Sequence, residues 1–73
     1  IALDGGIDGF SGIRKTIFKS KELLKKNGRL IIEIGHKQVA FSKSLLKNNG
    51  FYINKICKDI QFYPRVIIST KII

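Results

Sequence analysis

The spacing of apolar positions changes character several times along the chain, and each change predicts an element. From residue 13 onward Ile13, Ile17 and Leu24, with Phe18 and Leu23 alongside, recur at helical intervals, while Lys15, Lys19, Lys25 and Lys26 fall largely on other faces. Asn27-Gly28 is a good stop, and lysines in the last turn complement the helix dipole, so residues 13–27 are predicted as a helix. The run "GRLIIEIGHKQ", residues 28–38, then sets Leu30, Ile31, Ile32 and Ile34 around one carboxylate, Glu33. Apolar on both faces, residues 30–34 predict a central strand covered by helices on each side. Helical spacing returns over residues 37–49, with Val39, Ser42, Leu45 and Leu46 inward and Asn49-Gly50 as the stop. Residues 51–58 are rich in β-formers, and residues 65–71, "RVIISTK", in β-branched side chains; both predict strands. Residues 1–12, which include "LDGGIDGFSG", predict a glycine-rich loop, with Ser11 as N-cap of the first helix.

The predicted order is helix, strand, helix, strand, strand, which is α/β. The short "DIQFYP" link between the last two strands cannot be a parallel crossover, which needs a dozen or more residues, so one strand must run backwards. A mostly parallel sheet with one reversed strand near its C-terminal edge resembles the C-terminal part of the Rossmann-like class I methyltransferase fold.

Composition adds two expectations. The 73 residues allow one domain at most, with a thin stability margin; the absence of Met and the apolar ends suggest a piece of something larger. The formal charge of +9 admits an anionic partner such as nucleic acid. Yet lysines spread along a chain rich in Ile and Asn are also what AT-rich coding sequence produces, so the charge has two readings. A single cysteine, Cys57, excludes an internal disulfide and fits a reducing cytoplasm, where it reads as a small buried hydrophobe. No apolar run approaches a membrane span, and no membrane partner is expected.

Taken in order, "ALDGGIDGF", "IRKTI", "NGRLIIEIGHKQ", "NNGFYI" and "KDIQFYPRVI" resemble the C-terminal portion of the bacterial release-factor glutamine methyltransferases, the HemK/PrmC family. The resemblance spans essentially the whole chain and rests on five pieces in the right order and spacing. Three departures stand out: Ile13 where the family tends to have Tyr, Asn27 in place of a Gly before Gly28, and "IQFYPR" without the Gly often found in that loop. The resemblance implies a parent enzyme that uses S-adenosyl-L-methionine and acts on a peptide-chain release factor. The family's cofactor loop and its Asn-Pro-Pro-Tyr motif, which grips the substrate amide, have no counterpart in these residues, so the chain alone is expected to bind no cofactor and to be inactive.

Among individual residues, Asp4 and Asp8 sit among glycines, where aspartate usually bonds its own backbone. By resemblance the loop borders the substrate pocket, which makes Gly5, Gly6 and Asp8 the substrate-contact candidates. Burying a lone carboxylate is costly, so Glu33 needs a partner, and Arg14, Arg65 or the amides of the glycine loop are the candidates. Glu33 and Arg14 are therefore expected as structural braces of the pocket wall rather than as catalysts, with no catalytic, cofactor-binding or metal-binding residue in the chain. Arg14 as an ordinary surface arginine stays open. His36 has no Ser, Cys or second His near it in sequence and reads as a loop histidine.

Three functions follow: part of a release-factor glutamine methyltransferase; an N-methyltransferase of the same fold acting on nucleic-acid bases; or a small basic RNA-binding module, for which the aromatics are too scattered. Nucleic acid is thus the less favoured partner. Without its parental neighbour, the 30–34 strand is expected to expose an apolar edge and drive self-association.

Overall fold

The computed structural model describes residues 2–7 and 9–73. Strand β1 covers Ala2–Ile7, helix α1 Gly9–Leu23, strand β2 Arg29–Ile34, a 3-10 turn His36–Gln38, helix α2 Val39–Asn48, strand β3 Phe51–Lys58 and strand β4 Pro64–Lys71. The four strands form one sheet in the order β1-β2-β4-β3. β1 runs parallel to β2, while β4 runs antiparallel to both β2 and β3, so β4 is the reversed strand.

The connections explain where the helices lie. The steps from β1 to β2 and from β2 to β3 move in the same direction across the sheet, and crossovers of one hand then place both helices on one face. The core agrees: Ile13 and Ile17 of α1 and Leu46 of α2 form a single buried cluster with Leu30, Ile32 and Ile34 of β2, joined by Phe51 and Ile67. Truncating one of these, such as Ile32→Ala, costs about 2–5 kcal/mol.

The sequence expectations need four corrections. Residues 2–7 are a strand, because Leu3 and Ile7 pair with Ile32 and Ile34. Four steps along β1 face two along β2, and the surplus is taken up in the stretch holding Gly5 and Gly6, as a bulge next to glycines permits. Second, β2 is covered on one face only: Leu30, Ile32 and Ile34 are buried, whereas Arg29 and Glu33 are exposed and Ile31 half-buried, in strict alternation. Third, β2 has a neighbour on each side, so the apolar edge expected to drive self-association is occupied by β1. Fourth, Cys57 is a free thiol, half-buried beside Val66 on the uncovered face.

Helix α1 also starts earlier than predicted and ends earlier. Phe10 packs edge-to-face on Phe41 of α2, with ring centroids 4.8 Å apart, and this contact holds the first turn helical despite Gly12. At the other end Lys71 Nζ of β4 donates to the carbonyls of Lys21 and Leu24, both at 2.6 Å, capping the helix from the sheet. The chain then turns with Asn27 at φ 73° and Gly28 N donating to the Lys25 carbonyl at 2.9 Å. For α2 the Asn49-Gly50 stop holds: Asn49 is the C-cap and Gly50 adopts φ 80°, where an added Cβ would strike the Ile73 side chain.

Candidate functional site

Because β1, β2 and β3 are parallel, their carboxyl ends lie at one end of the sheet, where open α/β sheets hold their ligands. Three chain segments leave from that end: the start of α1 after Ile7, the Gly35–Gln38 turn after Ile34, and the 59–63 loop after Lys58. Each is fixed by a local contact. The Gly35 amide donates to Gln38 Oε1 at 3.2 Å, which closes the 3-10 turn ahead of α2. Ser42 Oγ donates to the Gln38 carbonyl at 2.8 Å, so the buried hydroxyl on the inner face of α2 is satisfied.

Between the two helices the Arg14 guanidinium lies over the Phe41 ring, 5.6 Å from its centroid, next to the Phe10–Phe41 contact. Arg14 thus ties α1 to α2 through an aromatic ring, an interaction worth about 0.5–1 kcal/mol at an exposed site. Sequence spacing held no signal for this trio, since residues 10, 14 and 41 meet only once both helices pack on the same face.

The third segment is held by side-chain and backbone hydrogen bonds. Asp59 Oδ1 accepts from the amides of Gln61 and Tyr63 at 2.8 and 3.0 Å, and Oδ2 accepts from Arg65 Nε at 3.0 Å. Two backbone bonds, Asp59 N to the Tyr63 carbonyl and Phe62 N to the Asp59 carbonyl, close the same loop. Partial desolvation of the Asp59 carboxyl opposes its ionisation, but the hydrogen bonds from Arg65, Tyr63 and Gln61 outweigh it and hold the group below the usual aspartate range.

These contacts correct the expected partners of Glu33. It is exposed, so the burial inferred from its apolar neighbours does not occur, and neither candidate arginine reaches it: Arg14 stacks on Phe41 and Arg65 pairs with Asp59. Its register mate is Val66 on the uncovered face. Gly5 and Gly6 lie in the bulged part of β1 beside the carboxyl end of β2. Asp8 lies outside the described residues. Among the described residues no cluster of His, Cys, Asp and Glu has the makings of a metal site, and no helix is long and apolar enough to cross a membrane. The arrangement frames one end of the sheet with an aromatic–guanidinium contact and a hydrogen-bonded loop whose turn amides are engaged internally.

Comparison with known proteins gives this end of the sheet a context. A bifunctional methyltransferase of Rickettsia felis is 36% identical over 72 residues, which is 99% of this chain and 14% of that protein. A release factor glutamine methyltransferase of Thermodesulfovibrio yellowstonii is 34% identical over 70 residues, 96% of this chain and 25% of that protein. The protein of the same name from Clostridium acetobutylicum is 34% identical over 71 residues, again 25% of its length. No family model matches the chain. No solved structure matches it either. The chain is therefore a relative of bacterial methyltransferases. More narrowly, it matches a C-terminal HemK/PrmC portion over nearly all its residues, while spanning a quarter or less of the curated relatives named here.

Proposed function

We propose that the chain is the C-terminal part of the catalytic domain of an S-adenosyl-L-methionine-dependent methyltransferase that methylates the side-chain amide nitrogen of a glutamine in peptide-chain release factors. The observation that carries this reading is the match of 96% of the chain to a protein of that name. The reversed β4, lying between β2 and β3, supports it, being the feature expected at the C-terminal edge of a class I methyltransferase sheet. So does the uncovered sheet face, whose half-buried Ile31, Val66 and Ile68 are an apolar row that a complete domain covers.

In this reading the chain supplies sheet and pocket wall. Methyl transfer from a sulfonium needs alignment more than acid–base help, because the methyl carbon is already electrophilic. The residues that grip the amide and cofactor belong, by resemblance, to motifs these 73 residues lack. Gly5, Gly6 and Asp8 would border the substrate pocket, Arg14 would brace the wall through Phe41, and Glu33 would find its partner in the layer that covers the open face.

A chimera tests the proposal. In the Thermodesulfovibrio yellowstonii protein, this chain replaces the 70 matched residues, and methyl transfer from labelled S-adenosyl-L-methionine to a release factor is measured. Activity within about tenfold of the parent is expected, since alignment residues outside the graft are unchanged. A chimera that melts cooperatively, binds the cofactor and still methylates no release factor contradicts the proposal.

A further inference from the structure

The edge of the sheet formed by β3 is the surface that the functional reading leaves unused. Among the described residues β3 is the last strand in the order and pairs with β4 alone, so along its other side it presents outward N–H and C=O groups. A groove of 660 Å³ follows this edge. Every residue from 51 to 56 lines it in turn, from both faces of the strand, so the groove runs along the backbone and not over one face. Its floor is apolar, made by buried Phe51 with half-buried Ile53 and Ile56. Its rim is cationic: Lys43 and Lys47 come from α2 and Lys55 from β3, and no acidic side chain is among the lining residues.

We propose that this edge takes an extended acidic protein segment as an additional strand. Backbone pairing supplies the generic affinity of strand addition, the apolar floor receives alternate side chains, and the lysines select for carboxylates. The same lysines disfavour a second copy of the chain, because self-association along this edge would bring the Lys43, Lys47 and Lys55 rims of two copies together. A bulge fixes the register. Two steps from Ile53 to Lys55 face one step of β4, and the surplus residue, Asn54, accepts a hydrogen bond from Thr70 Oγ1 at 2.6 Å. An incoming strand therefore meets a shaped edge with two short pairing stretches and not a flat one.

The test uses a synthetic octapeptide of alternating glutamate and valine, a lysine-for-glutamate control, and a copy of the acidic peptide N-methylated at alternate amides. Amide hydrogen exchange and NMR shifts of the 73-residue chain are followed on titration. The acidic peptide is expected to protect amides within residues 51–58, whereas the N-methylated copy and the lysine control should not. The double variant Lys43→Glu, Lys47→Glu should weaken binding by about tenfold or more while leaving the circular dichroism unchanged. Equal binding of the lysine peptide, unchanged binding after N-methylation, or absence of protection overturns the proposal. Displacement of the peptide by an oligothymidylate at the same residues also overturns it, by making the edge a nucleic-acid groove.

Discussion

Two turns in this molecule depart from the glycine pattern of the methyltransferases it resembles, and they resolve the same backbone demand in opposite ways. In the turn at residues 25–28, Asn27 adopts φ 73°; in the loop at residues 59–63, Phe62 adopts φ 66°. Asn27 stands in place of a glycine of the family pattern, and Phe62 lies in the loop that lacks the glycine often found there; glycine is the residue that reaches positive φ without steric cost. Asparagine tolerates the left-handed region because its short amide bonds locally; phenylalanine does not. The first turn is further tied to β4, with Asn27 N donating to the Lys71 carbonyl at 2.7 Å and Lys71 N donating to the Gly28 carbonyl at 2.8 Å. The second relies on the Asp59 carboxylate, and it holds Phe62 79% and Ile60 95% exposed. A good local residue thus serves a turn woven into the fold, and a poor one is tolerated where a side-chain frame imposes the conformation.

Substitutions at the two turns should separate the local residue from its frame. The largest effect is expected from Asn27→Val, which puts a β-branched residue in the left-handed region and should cost about 2 kcal/mol. Chemical denaturation reads it directly, and an unchanged midpoint would mean that the turn relaxes freely. Phe62→Gly should act in the other direction. Relief of about 1–2 kcal/mol of left-handed strain, less about 0.4–1 kcal/mol of added unfolded-state entropy, leaves a net gain of about 0.5–1 kcal/mol. Thermal unfolding then shifts upward by several degrees, and a loss of stability would show that the Phe62 ring makes a contribution the exposed surface hides.

Removing the frame is a local test. Asp59→Ala should leave the core cooperative while the Gln61 and Tyr63 amides, which donate to the carboxylate, exchange about tenfold faster or more. The pH dependence has a definite sign. The folded Asp59 carboxyl titrates below its unfolded value, so its contribution is fully present above the unfolded value and is lost as pH falls through the lowered folded one. Acid titration of the Gln61 and Tyr63 amide shifts should follow that transition, and a midpoint above the ordinary aspartate range would contradict the assignment. Asn27→Gly is the smallest change, within about 0.5 kcal/mol of neutral, because both residues accept the turn.

Much of this was legible in the sequence, for identifiable reasons. The helical periods around Ile13–Ile17 and Leu45–Leu46 and the β-rich segments at 51–58 and 65–71 announce their elements, and the short link between those segments forces one strand to reverse. Residues 2–7 were not legible as a strand, since glycines and aspartates carry no period-2 pattern and their pairing is dictated by β2. Glu33 misled for a related reason: a run apolar on both sides predicts two covering layers, but these 73 residues cover only one, and alternation then leaves the carboxylate in solvent. The Asp59–Arg65 pair was not read from the sequence, which offered Arg65 only as one of three candidate partners for Glu33.

On the proposed function these residues contribute sheet and pocket wall to a methyltransferase while the cofactor is held elsewhere. Calorimetric titration of S-adenosyl-L-methionine into the folded 73-residue chain tests it most directly. No binding heat beyond dilution is expected; saturable, tight binding would place cofactor-holding residues within the chain and overturn this division of roles.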